Sequence, residues 1–325
     1  MTGQAGQAGR GRLRRGLRVP PAVMRQGARI LGRRCLDPAL PWPAQRSRLA
    51  QLTRPLLVPR GTSVTEQAIG GVPAEVVSGS SPDSQVTVVH FHGGGYCVGS
   101  PVTLRGWAAH LSAQAGCRVV LPDYRLAPEH PYPAAPQDAR AVVTALSGQG
   151  PVVLSGDSAG GGLALALLLA LRDEGRELPA GCILLSPWLD LGRDRRAGPG
   201  LVSRDVLLSP DWLDACARAY ADPSAWAEPS VSPLLAAHGG LPPLLIQAGT
   251  SELLAPDAEL LAARAAAAGA DVTYTRWPRM WHDFMLQPGL LAAADSALAQ
   301  AAWFVGQVTA GRNGNRPPSG RPGGT

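Results

Sequence analysis

The chain has 325 residues, 45% hydrophobic and 17% charged, which supplies a sizeable core and argues against a disordered protein. Its formal charge of +6 is unevenly placed: residues 1–60 hold 13 Arg and one acid, Asp37, while the remainder carries 17 Arg against 23 acids. The body is therefore acidic, so nucleic acid is not an expected partner, and five cysteines without CxxC spacing argue against a disulfide framework or a zinc site and for a reducing, cytoplasmic setting.

In chain order, residues 1–20 are rich in Arg and Gly and are expected to be a disordered basic arm. No apolar h-region follows the arginines, so no secretory signal is read, although organelle transit peptides share this Arg-rich, acid-poor character. Residues 21–60 carry helical patterns with no place in a sheet and are expected to form N-terminal cap helices. From there to residue 310, β-like runs (VTVVHF, CRVVLP, PVVLSG, GCILLSP, PPLLIQAG and DVTYTRW) alternate with helical stretches near 102–115, 133–147, 159–173, 256–268 and 291–308. Strands apolar on both faces and separated by helices predict an α/β class with a mostly parallel central sheet flanked by helices. The excursion from Trp188 to Gly240 interrupts that rhythm and is read as a cap insertion, and residues 311–325 as a disordered tail. The longest apolar run, LALALLLAL at 163–171, falls well short of the roughly 20 residues a membrane span needs, so stable membrane insertion is not expected.

Two glycine clusters carry the chemistry. FHGGGYCVGS at 91–100 leaves the first strand with three consecutive glycines, which implies a sharp turn or a close approach to backbone N–H groups. PVVLSGDSAGGGLAL runs from strand to helix through Gly156-Asp157-Ser158-Ala159-Gly160, a G-x-S-x-G in the strand–turn–helix context of a nucleophile elbow. No Lys follows, so a phosphate loop is not read. Ser158 sits at a helix N-terminus, where the dipole favours developing negative charge.

A serine nucleophile needs a base and an orienting carboxylate, in the chain order Ser, acid, His. His238 precedes the PPLLIQAG strand and fails that order, leaving His282 as the base. Glu252, nearest the strand's carboxyl end, is the favoured acid. Asp257 is the first alternative, although Pro256 places it in a helical first turn where it merely complements the dipole. Asp190 in SPWLDL is the second.

HGGGY at 92–96, DYRLAPEHPYPAAPQD at 123–138, GDSAGG at 156–161, SPWLDL at 186–191 and MWHDF around His282 resemble, in this order, the bacterial hormone-sensitive lipase family of α/β-hydrolases. The resemblance covers residues 60–308 and implies an α/β-hydrolase fold with a helical cap. The family's usual acid is Asp; Glu252 at the matching position resembles a subgroup with Glu. The resemblance further implies an oxyanion hole from the N–H groups of Gly93, Gly94 and Ala159, a loop-holding role for His92, and no metal or organic cofactor. It makes Tyr96 a pocket candidate, and the apolar cap residues Trp188, Leu189, Leu207 and Leu208, with Trp212 and Leu234, suggest an apolar pocket. The implied substrates are small esters of short to medium acyl chain, with lactones and amides as alternatives, and a homodimer is left open. A hydrolase-fold receptor is the non-enzymatic alternative; in the plant gibberellin receptor the catalytic His is lost, whereas His282 is present here.

Overall fold

Strands that are apolar on both sides are stable only between two helical layers, and the chain builds that arrangement. In the computed structural model, residues 18–53, 58–79, 85–196 and 200–310 are described; most of the expected basic arm, up to residue 17, and the expected tail from 311 lie outside the described residues. The strands are β1 (Ser63–Ile69), β2 (Val72–Ser78), β3 (Thr87–Phe91), β4 (Arg118–Pro122), β5 (Val152–Asp157), β6 (Gly181–Leu185), β7 (Leu244–Gly249) and β8 (Val272–Trp277). They form one sheet in the order β1-β2-β4-β3-β5-β6-β7-β8, antiparallel through β1, β2 and β4 and parallel from β4 to β8.

Side chains alternate between two cores. Leu154, Cys182 and Leu184 pack on one face with helices Ala134–Leu146, Ser158–Asp173 and Ala255–Ala267. Val153, Ile183 and Leu185 pack on the other with Arg105–Ala115 and Ala292–Thr309.

The β1–β2 hairpin was not among the expected strands. All of β1 except Ile69 is exposed, so SVTEQAI has no inward apolar alternation to read. Its signal was instead the Gly70-Gly71 pair, with φ of 60° and 81°, the two left-handed residues of a tight hairpin turn.

Two segments outside the sheet pack against each other. The first comprises helix Pro21–Gly27, a π-helical turn Ala28–Gly32 and helix Trp42–Thr53; the second carries Leu201–Arg204 and Pro210–Tyr220. Trp212 Nε1 donates to Gln45 Oε1 at 2.9 Å, and the Arg33 guanidinium donates to the Asp205 carbonyl at 2.7 Å, tying one segment to the other. Arg46 fixes the first to the sheet domain by donating to Glu129 Oε2 at 2.6 Å and to the Cys97 carbonyl at 2.8 Å. Among the described residues no helix is long and apolar enough to cross a membrane.

Candidate active site

β5 ends at Asp157 and a helix begins at the next residue, so Ser158 must turn the chain alone; its φ is 52°, a left-handed value that a non-glycine residue adopts at a cost. The turn closes only because its flanks lack side chains. A Cβ on Gly156 would run into the Gly160 backbone, and one on Gly160 into the Phe91 and His92 carbonyls. The Ser158 carbonyl accepts the Trp188 N–H at 2.9 Å. Beneath the turn lies a buried relay: His90 Nε2 stands 2.9 Å from Asp157 Oδ1, and His90 Nδ1 2.7 Å from Ser155 Oγ.

The HGGG turn passes beside Ser158. A Cβ on Gly93 would lie 3.0 Å from Ser158 Cβ, and Gly94 has φ 113° with its would-be Cβ against the Val98 carbonyl, so neither position accommodates a side chain. The N–H groups of Gly93 and Gly94 make no hydrogen bond among the described residues, and both glycines line the cavity above Ser158. The Ala159 N–H is in the first helical turn, where backbone donors have no partner within the helix. His92 is buried, stacks on Tyr124 with ring centroids 4.2 Å apart, and its carbonyl accepts the Tyr124 hydroxyl at 2.7 Å, which fixes the turn from behind.

The structure brings Glu252 and His282 together, both buried, with Glu252 Oε2 3.4 Å from His282 Nδ1. That is an ion-pair distance without hydrogen-bond alignment, a looseness common in ligand-free sites. Ser186, directly after β6 and itself left-handed with φ 44°, donates to Glu252 Oε2 at 2.8 Å. Burial raises the Glu252 pKa, against the pull of His282. His282 itself is disfavoured as a cation by burial, yet the Asp283 and Glu252 carboxylates together hold its pKa well above the ordinary value.

Neither alternative acid contacts His282. Asp257, expected merely to complement a helix dipole, is completely buried and chelates Arg195, 2.7 Å from Oδ1 and 2.8 Å from Oδ2. Its Oδ2 also accepts the Leu189 and Asp190 N–H groups at 3.0 and 3.2 Å, so it holds the start of the second segment outside the sheet. Asp190 Oδ1 accepts the Gly192 N–H at 3.1 Å in its own loop. His238 lies elsewhere, its Nε2 3.1 Å from the Pro233 carbonyl.

A cavity of about 420 Å³ opens above Ser158 and His282. Of the pocket candidates, Leu207, Leu208 and Trp212 line it, whereas Tyr96, Trp188, Leu189 and Leu234 do not. These four are buried in the core: Tyr96 stacks on Tyr220 with centroids 3.8 Å apart and stands 6.2 Å from Trp188. Much of the opposite wall comes from the N-terminal segment, including Val23, Met24, Leu31 and Leu49, which the sequence placed in a cap without assigning to the pocket.

The profile of the α/β-hydrolase fold family matches residues 88–286. The chain is 39% identical over 259 residues to an acetyl-hydrolase of Streptomyces hygroscopicus, covering 78% of this chain and 84% of that one. It is 36% identical over 269 residues to an esterase of Acinetobacter venetianus, covering 81% and 88%. The crystal structure of an esterase from the bacterial hormone-sensitive lipase family superposes with a TM-score of 0.81 at 32% identity, covering 88% of this chain and 98% of that one. Motif order, sheet topology and relatives converge: the chain is a carboxylesterase-like member of the α/β-hydrolase family, of the hormone-sensitive lipase type.

Proposed function

We propose that this protein is a serine esterase that cleaves carboxylic esters of short to medium acyl chain through an acyl-enzyme. The observation that carries the reading is the left-handed Ser158 at the floor of an apolar cavity, with His282 and the free Gly93 and Gly94 N–H groups lining the same space. Ser158 Oγ attacks the ester carbonyl carbon as its proton passes to His282 Nε2, and Glu252 stabilises the imidazolium from the Nδ1 side. The tetrahedral oxyanion is held by the N–H groups of Gly93, Gly94 and Ala159, donors worth about 3–4 kcal/mol each in sites of this kind. Collapse breaks the bond to the alkoxy oxygen, which leaves as the alcohol with the His282 proton. Water, deprotonated by the same imidazole, then attacks the acyl carbon and releases the acid, returning the proton to Ser158 Oγ.

The apolar walls built by Met24, Leu31, Leu49, Leu207 and Leu208 support an apolar acyl group over a polar one. A neutral phosphonate ester is expected to label the protein once, at Ser158, with loss of activity in step with labelling. Adduct mapping at any other serine overturns the assignment. A series of nitrophenyl esters from acetyl to long-chain acyl is expected to show kcat/KM rising from the acetyl ester to a medium length and then falling; a monotonic rise to the longest chains contradicts the proposed chain limit.

A further inference from the structure

A second carboxylate, Asp283, touches the reacting nitrogen of the base. Asp283 Oδ2 stands 3.1 Å from His282 Nε2, on the opposite side of the ring from Glu252, likewise at an ion-pair distance without hydrogen-bond alignment. Its backbone is left-handed with φ 56°, its N–H donates to Ser186 Oγ at 3.3 Å, and its Oδ1 has no hydrogen-bond partner. Ser158 Oγ, for its part, makes no hydrogen bond among the described residues. With Nδ1 facing Glu252, Nε2 is the nitrogen that must accept the serine proton.

We propose that Asp283 gates the general base: in the resting protein its carboxylate stands against His282 Nε2 and holds the imidazole as its cation, and the incoming substrate displaces it. This rests on the serine esterase reading. The block follows from charge: the Glu252 and Asp283 carboxylates flank the ring at 3.4 and 3.1 Å and favour the imidazolium, which carries a proton on each nitrogen and so has no lone pair on Nε2 to accept from Ser158. Displacement is easy because the one other carboxylate oxygen, Oδ1, is not anchored.

The charges around the ring all act in one direction. Glu252 and Asp283 face it directly, Asp157 lies close enough to act on Asp283, and Asp205 acts on Glu252 from the second segment outside the sheet. Burial pushes the Asp283 pKa up to about 7, against the pull of His282. An ionised Asp283 favours the imidazolium, so His282 becomes a free base only at higher pH. Removing that charge lowers the pH at which it does so.

The test is the rate of Ser158 phosphonylation, together with kcat/KM on one soluble ester, across acid to alkaline pH for the unchanged protein, Asp283→Asn and Asp283→Gly. Both replacements tolerate a left-handed backbone. The acid limb is expected to move to lower pH by about one unit or more in both variants, because a charge at this distance shifts a partner by 1–3 units. Asp283→Gly, which also clears the space beside Nε2, is expected to label faster on the alkaline plateau as well. Acid limbs coincident with that of the unchanged protein, or a loss of rate at every pH in folded variants, overturn the gate. Absence of Ser158 labelling in the unchanged protein overturns the esterase reading and the gate with it.

Discussion

Glu252→Gln is expected to leave a folded protein whose kcat on a simple ester is about 10⁴-fold lower, the defect seen when the orienting carboxylate of a serine hydrolase is replaced by its amide. The fold should tolerate the change, because Oε1 has no partner and the Ser186 hydroxyl, which can donate or accept, pairs with either end of an amide placed at Oε2. Burial already works against the charged form. The chemistry should not tolerate it. An amide cannot stabilise the imidazolium, and an NH₂ turned toward Nδ1 would select the tautomer with its proton on Nε2, which has no lone pair for the serine proton. Thermal melting and kcat for the purified variant check both halves. A small loss would mean that Asp283, at the other ring nitrogen, supplies the orienting charge instead.

What the sequence made legible was whatever depends on local chain geometry. The strands β3 to β7 were readable because burial on both faces leaves continuous Val, Ile and Leu runs, and the half-buried edge strand β8 because VTYTRW is rich in β-branched and aromatic residues. The turn at Ser158 was readable because only glycine fits at Gly156 and Gly160. Features that depend on which distant groups meet were not. Trp188 and Leu189 looked like pocket residues because they are apolar and lie in the expected cap insertion, yet the chain turns them into the core. Ser186 and Asp283 act through left-handed backbones and chosen rotamers, neither of which a residue type announces. Asp257 was read from its helix position, a contribution of about 0.3–1 kcal/mol, when an arginine about sixty positions earlier in the chain decides its role.

That difference yields the opposite prediction for Asp257: a large loss of stability with little effect on chemistry. Both of its oxygens bind Arg195, whose side chain is 3% exposed, and Arg193 approaches Oδ1 at 3.1 Å. Asp257→Asn removes the charge and leaves the Arg195 guanidinium buried without a counterion, a situation that costs about 3–5 kcal/mol. It also weakens the acceptor for the Leu189 and Asp190 N–H groups, from which the second segment outside the sheet departs. The melting temperature is therefore expected to fall by several degrees, while kcat measured well below that temperature stays within the same order of magnitude, since no Asp257 atom contacts His282. Adding Arg195→Met to Asp257→Asn should recover part of the loss, because an apolar side chain of similar length removes the stranded charge. Additive losses in the double variant would show that the pair is not coupled, and an unchanged melting temperature in Asp257→Asn would show that the ion pair does not hold that segment.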